Sequence, residues 1–189
     1  MDLLKSHKIM RNFAIKDRLK LMDEIINKVA NSGVVTIDLE SFYDASERII
    51  FDIKPHLFME LMLKEKDFRE FIKANDWRFY QDKIVGIVCT ADAIVPTWAY
   101  MLITLALEPF AKKVYFGNLE QVESFLFAEK LAQIDVSSYQ GARVVIKGCG
   151  DKQVPINAFI QLSTLLKPVA KSIMYGEPCS TVPLFKAKI

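Results

Sequence analysis

The chain has 189 residues, 51% hydrophobic and 25% charged, with a net charge of +2. That composition supplies the core of one packed domain. Three cysteines, an odd number, exclude a disulfide scaffold and point to reduced thiols in a cytoplasmic setting.

The charge is unevenly placed. Residues 1–21 carry six cations against Asp2 and Asp17, a local +4, which leaves −2 for residues 22–189. A near-neutral body without a basic stripe gives little counterion-release drive, so nucleic acid is not an expected partner. No apolar run is long enough to span a bilayer, so no membrane association is expected. Residues 1–21 lack the continuous apolar stretch of a secretory signal and are read as a basic extension, either a targeting segment or an upstream misassigned start before Met22.

The remainder reads as a single α/β domain over 22–189. A helix spans Met22–Val29 and is stopped by Asn31-Ser32-Gly33. Two β-branched segments, Val34–Leu39 and Arg48–Ile53, predict strands that pair as an N-terminal hairpin. Helix Phe58–Ala74, strand Lys83–Cys89, helix Pro96–Leu107 and strand Lys113–Gly117 follow. The same order then recurs as helix Leu119–Gln133, strand Arg143–Gly148, helix Pro155–Leu166 and strand Lys171–Gly176. Strands alternating with helices of this length predict a mostly parallel sheet.

The recurrence is a duplication. A gapless shift of 59 aligns residues 68–118 with 127–177, and 16 of the 51 pairs are identical, where chance gives about three. The identities fall at positions with distinct physical tasks. Asp76, Tyr80 and Gln81 match Asp135, Tyr139 and Gln140 before the strand, and Val85 and Ile87 match Val144 and Ile146 within it. Asp92, Val95 and Pro96 match Asp151, Val154 and Pro155 at the turn into the helix, where proline suits the first turn.

Ligands of open parallel sheets collect outside the carboxyl ends of the strands, and all three cysteines are expected there. Cys89, Cys149 and Cys179, with Asp92, Asp151 or Glu177, form a candidate ligand set for zinc or an iron–sulfur cluster. No pair has C-x-x-C spacing, and cysteines are among the most often buried residues, so structural thiols compete with that reading. Asp92 and Asp151 have a local alternative as acceptors for backbone N–H groups before a helix. A thiol enzyme would need a base, and only His7 and His56 exist. Gly148-Cys149-Gly150 lacks the further glycine and lysine of a phosphate-binding loop. Trp98, Tyr100 and Met101 read as core or subunit interface, and a homo-oligomer is compatible with this pattern.

The strings Cys89-Thr90-Ala91-Asp92-Ala93-Ile94-Val95-Pro96-Thr97-Trp98-Ala99-Tyr100 and Gly176-Glu177-Pro178-Cys179-Ser180-Thr181-Val182-Pro183, with Ile26–Gly33, resemble an uncharacterised bacterial family described as a domain of unknown function. The resemblance runs from about Met22 to the C-terminus. It brings no reaction with it. Gene neighbourhood in that family implies iron–sulfur assembly proteins as partners. The sequence therefore predicts a cytoplasmic metal- or iron–sulfur-binding accessory protein. The alternatives are a non-catalytic interaction protein with buried thiols and, further off, a thiol enzyme.

Overall fold

A computed structural model describes residues 33–188 apart from 149 and 178. The predicted helix Met22–Val29 and the basic extension 1–21 lie outside the described residues. Val34-Val35-Thr36-Ile37-Asp38 forms strand β1, and Arg48–Asp52 forms β2. Both are rich in branched side chains, which fit a pleated, half-buried surface. The remaining elements are helix α1 (Glu65–Ala74), strand β3 (Ile84–Val88), helix α2 (Thr97–Leu107), strand β4 (Lys113–Phe116), helix α3 (Leu119–Leu131), strand β5 (Arg143–Lys147), helix α4 (Ile156–Leu166), strand β6 (Ser172–Glu177) and strand β7 (Ser180–Lys186).

The predicted α/β class with mostly parallel strands holds, but the strands divide into two sheets, one for each copy of the repeat. The orders are β2-β3-β4 and β1-β5-β6-β7, with every pairing parallel except β6 with β7. The expected hairpin between the first two strands is not formed: β1 pairs with β5 and β2 with β3, both in parallel. The link between them holds no tight reversing turn. It opens with a 3-10 turn, Leu39–Phe42, whose Leu39 is fully buried, so the chain enters a core instead of folding back. Strand β7 was not expected, because Pro183 argues against a strand. It is tolerated here because β7 is the last strand of its sheet, where a missing N–H leaves no ladder partner unsatisfied.

The described residues group into two compact units, one of 33–38, 135–148 and 163–188, the other of 39–134 and 150–162. In the second unit the two faces of β3 are used differently. Val85 and Ile87 point into a core with Phe51, Phe68, Ile103 and Leu107, drawn from β2, α1 and α2. Ile84 faces the other way and packs with Val122 and Leu126 of α3. This close approach requires Gly86, since a Cβ there would sit 2.6 Å from the Gly117 carbonyl oxygen and 3.0 Å from Val122 Cγ2. In the first unit, Ile37, Val144, Ile146 and Ile173 are the buried residues of β1, β5 and β6.

The copies superpose in register as well as in order. Strand β3 pairs Ile84 with Lys113 and β5 pairs Arg143 with Ser172, each 59 residues on. The linking hydrogen bonds repeat too: Asp82 N–H donates to Phe110 O and Gly141 N–H to Val169 O, and Lys112 N–H donates to Lys83 O as Lys171 N–H does to Ala142 O. Asp76 and Asp135 each accept from the backbone N–H two residues on, at 3.1 and 3.0 Å, opening equivalent 3-10 turns. Ala99, Ile103 and Leu107 are buried, as are Ala158, Leu162 and Leu166. The first strands fit the same scheme. Because Arg48 is opposite Ile84 and Val34 opposite Arg143, β1 plays for the second copy the part that β2 plays for the first.

Candidate functional site

The loop after β3 is held by a carboxylate that sequence reasoning passes over. Asp52, the last residue of β2, accepts from Thr90 N–H (3.0 Å) and from Lys54 N–H (2.9 Å), and it also takes the Thr90 hydroxyl. Burial works to raise the Asp52 carboxyl, but the bonds from Thr90 and Lys54 hold it below the ordinary carboxylate range. Cys89 lies between this anchor and the core. It is half-buried, packs against the core of its unit and points its thiol at Ala91 O, 3.6 Å away. Nearby Tyr100 is pushed up, chiefly by burial and further by Cys89.

The loop after β5 has an analogous anchor. Glu40, two residues beyond β1, accepts the N–H groups of Gly150 and of Lys152 (3.3 Å). A Cβ at Gly150 would stand 2.5 Å from a Glu40 carboxylate oxygen, so a larger residue there would make the Glu40 side chain shift. Cys149 itself falls outside the described residues. An acidic residue at or just past the end of a β-branched strand is the signal that could have found both anchors, Asp52 and Glu40.

Asp92 and Asp151 are exposed. Neither shows a hydrogen bond to a backbone N–H among the described residues, and helix α2 has Pro96 at its N-cap and no side-chain cap. Glu177 ends β6, exposed, with Lys147 Nζ 3.9 Å away; Lys147 also meets Asp38 at 3.1 Å. This places the ammonium group at the end of β5 between the carboxylates at the ends of β1 and β6. Cys179 is exposed in the turn joining β6 to β7. Of the candidate ligands, Cys89, Asp92 and Asp151 belong to the second unit, and Glu177 and Cys179 to the first. No group of three or more metal-capable side chains occurs among the described residues.

His56 stands in an aromatic cluster, stacked on Phe71 with ring centroids 3.8 Å apart and on Phe51 at 5.6 Å. Burial lowers its pKa, with Asp52 opposing. It lines a cavity of about 290 Å³ with Pro55, Phe58, Lys64 and Phe71. The loop beside that cavity departs from expectation, since the predicted helix Phe58–Ala74 starts only at Glu65. Residues Phe58–Met62 instead form a tight turn, in which Leu61 N–H donates to Phe58 O (3.1 Å) and Phe58 N–H to Met62 O (2.7 Å). Met59 and Glu60 both have positive φ, 51° and 58°, a conformation that non-glycine residues seldom adopt. The turn exposes Phe58, Met59 (74%), Leu61 (64%) and Met62.

A second cavity in the same unit, of about 480 Å³, lies between the first turns of α3 and α4. Arg48 lines it but is fully engaged. Its guanidinium forks onto both carboxylate oxygens of Glu123, donates to Ser46 O and lies 4.4 Å from the Tyr43 ring centre.

These features define a duplicated α/β protein with carboxylate-pinned loops at its strand ends. Over residues 23–187 the chain matches the model of a family described as a protein of unknown function, DUF2480, and it belongs to that family. No curated protein and no solved structure matches it. Among the described residues, no helix is long and apolar enough to cross a membrane.

Proposed function

We propose that the protein is a cytoplasmic interaction module whose recognition element is the loop Phe58–Met62, inserted into an apolar groove of a partner protein. The observation that carries this reading is the pairing of exposure with strain. Four large apolar side chains face solvent on a turn whose two central residues, Met59 and Glu60, both take the left-handed conformation. Such a conformation costs on the order of 1–3 kcal/mol per residue and persists where the surroundings impose it, commonly at binding sites. The test is a Met59→Ser/Leu61→Ser double variant. Proteins captured from the native cell with wild type and variant are compared, and the differential partner is reconstituted from purified components. A partner that binds wild type and loses the variant is the expected result. Identical capture and equal reconstituted affinity would remove the reading.

A second reading is supported by the thiols. Each follows a strand's carboxyl end within two residues: Cys89 after Val88, Cys149 after Lys147 and Cys179 after Glu177. On this reading Cys89, Cys149 and Cys179, with carboxylates from Asp92, Asp151 or Glu177, hold zinc or an iron–sulfur cluster, and the partners are iron–sulfur assembly proteins. Anaerobic purification followed by metal, acid-labile sulfide and visible spectroscopy tests it. Stoichiometric metal lost on Cys→Ser substitution is expected; a colourless, metal-free protein that resists reconstitution would refute it.

A further inference from the structure

The two copies differ sharply at the amino ends of their strands. In the first copy every cation there has a carboxylate. Lys112 Nζ reaches both oxygens of Asp44 (2.9 and 3.0 Å), Lys113 meets Glu129, Lys83 meets Glu47 at 3.1 Å, and Arg48 meets Glu123.

In the second copy the equivalent end is a cleft of about 520 Å³ that contains Arg143, Lys171 and Lys186, and among the described residues no acidic side chain lines it. None of the three makes an ion pair with a described residue. The sequence also differs where the first copy supplies its acids. Four residues before β2 stands Asp44 and one before it Glu47, whereas four before β1 stands Ala30 and one before it Gly33.

The arrangement is set by backbone register. Ser172 of β6 is directly opposite Arg143 of β5 and directly opposite Lys186 of β7. Directly opposed residues share a face with Cβ atoms about 5 Å apart, so Arg143, Ser172 and Lys186 form a row across three strands. Lys171 immediately precedes this row. The apolar side chains of Met174, Pro183 and Phe185 complete the lining. A register shift between Ile173 and Met174 bends the sheet beside it.

From this we infer that the cleft is a binding site for a small phosphate ester with an apolar or aromatic body, of nucleotide size. The volume falls in the range of small-molecule sites. A planar guanidinium fork, a hydroxyl and two ammonium groups match the oxygens and charge of a phosphate or diphosphate. Met174, Pro183 and Phe185 supply a surface for the uncharged part. Nothing in this site depends on the loop Phe58–Met62 or on the thiols.

Calorimetric titration of the full chain with ADP and with inorganic pyrophosphate tests the site. Both are expected to bind, ADP the more tightly, and both to weaken as ionic strength rises. Arg143→Glu and Lys186→Glu, at exposed positions, each weaken binding by about tenfold or more. Circular dichroism and an unchanged Tm show that these variants fold. Lys66→Glu on the exposed face of α1 changes the net charge equally and leaves binding as in wild type. The assignment is overturned by no binding of either probe at millimolar concentration, by equal weakening in Lys66→Glu, or by a single-stranded oligonucleotide outcompeting both probes at the same residues.

Discussion

At the amino ends of their strands the first copy of the repeat pairs its cations with acids, and the second, among the described residues, does not. Lys83, Lys112, Lys113 and Arg48 are each neutralised in the first, while Arg143, Lys171 and Lys186 in the second share a cleft with no acid among the described residues. Duplication yields two scaffolds of the same register; in the first the cations are matched, and those of the second are the ones inferred to bind a phosphate. The same division appears in the interior, where Gly86 lets α3 press on β3 while Val145, at the same register, fills its own space.

If the copies are equivalent as scaffolds, equivalent core truncations should hurt alike. Phe68→Ala and Phe127→Ala remove side chains that are 2% and 1% exposed, and each should cost about 3–5 kcal/mol in urea unfolding. A cost confined to one of them would break the equivalence. Gly86→Val makes the copies identical at that position, but the new side chain meets the Gly117 carbonyl and Val122. It should destabilise by about 1–3 kcal/mol, read as a lower midpoint at unchanged m-value.

His56 gives the first copy a pH response that the second has no residue to share. Burial depresses its folded pKa below the unfolded value near 6.5, so the unfolded chain binds more protons. Its contribution is complete above about pH 6.5 and is lost as pH falls through the folded pKa. Urea midpoints at pH 7.5 and pH 5.5 should therefore lie closer together in His56→Phe, which keeps the stack on Phe71, than in wild type. The smallest effect concerns the lysines themselves. Lys112→Met strands Asp44, whose side chain is 12% exposed and whose carboxyl is held well below its ordinary range first by the Lys112 hydrogen bond. The cost should be about 1 kcal/mol. Lys171→Met, its counterpart, should leave stability unchanged within measurement.

The duplication is legible in the sequence because its identities sit where the backbone is most demanding, at Asp76 and Asp135, at the Val-Pro turns, and at Gly117 and Gly176, whose φ values are 137° and 119°. The division into two sheets is not legible. It depends on which distant strand β1 and β2 each choose, and their local pattern is the same for either partner. Strand β7 is masked by Pro183. The loop Phe58–Met62 imitates a helix, since Phe58, Leu61 and Met62 have helical spacing. The loop anchors show in the sequence only as acids at strand ends; what they hold does not, since Glu40 holds Gly150 across 110 residues and Asp52 holds Thr90 across 38. The cysteines and paired aspartates attract notice by type and repetition, while the cations of the second copy are conspicuous only when their missing partners are compared with the first.

Strand β1 also sets a timetable. Its partner β5 begins at Arg143, and β1 ends at Asp38, so the 104 residues 39–142 must be synthesised between them. At about 5–20 residues per second, the apolar ribbon Val34-Val35-Thr36-Ile37 waits roughly 5–20 s for its ladder, while β2, β3 and β4 are already complete. The copy nearer in sequence can close early through local contacts, and the outer one only late, across a long loop. Pulsed hydrogen exchange during refolding would register this as protection of Ile84–Val88 ahead of Val34–Asp38. The chain's most exposed moment for misassembly thus belongs to its first strand, held in waiting for the second half of its own duplication.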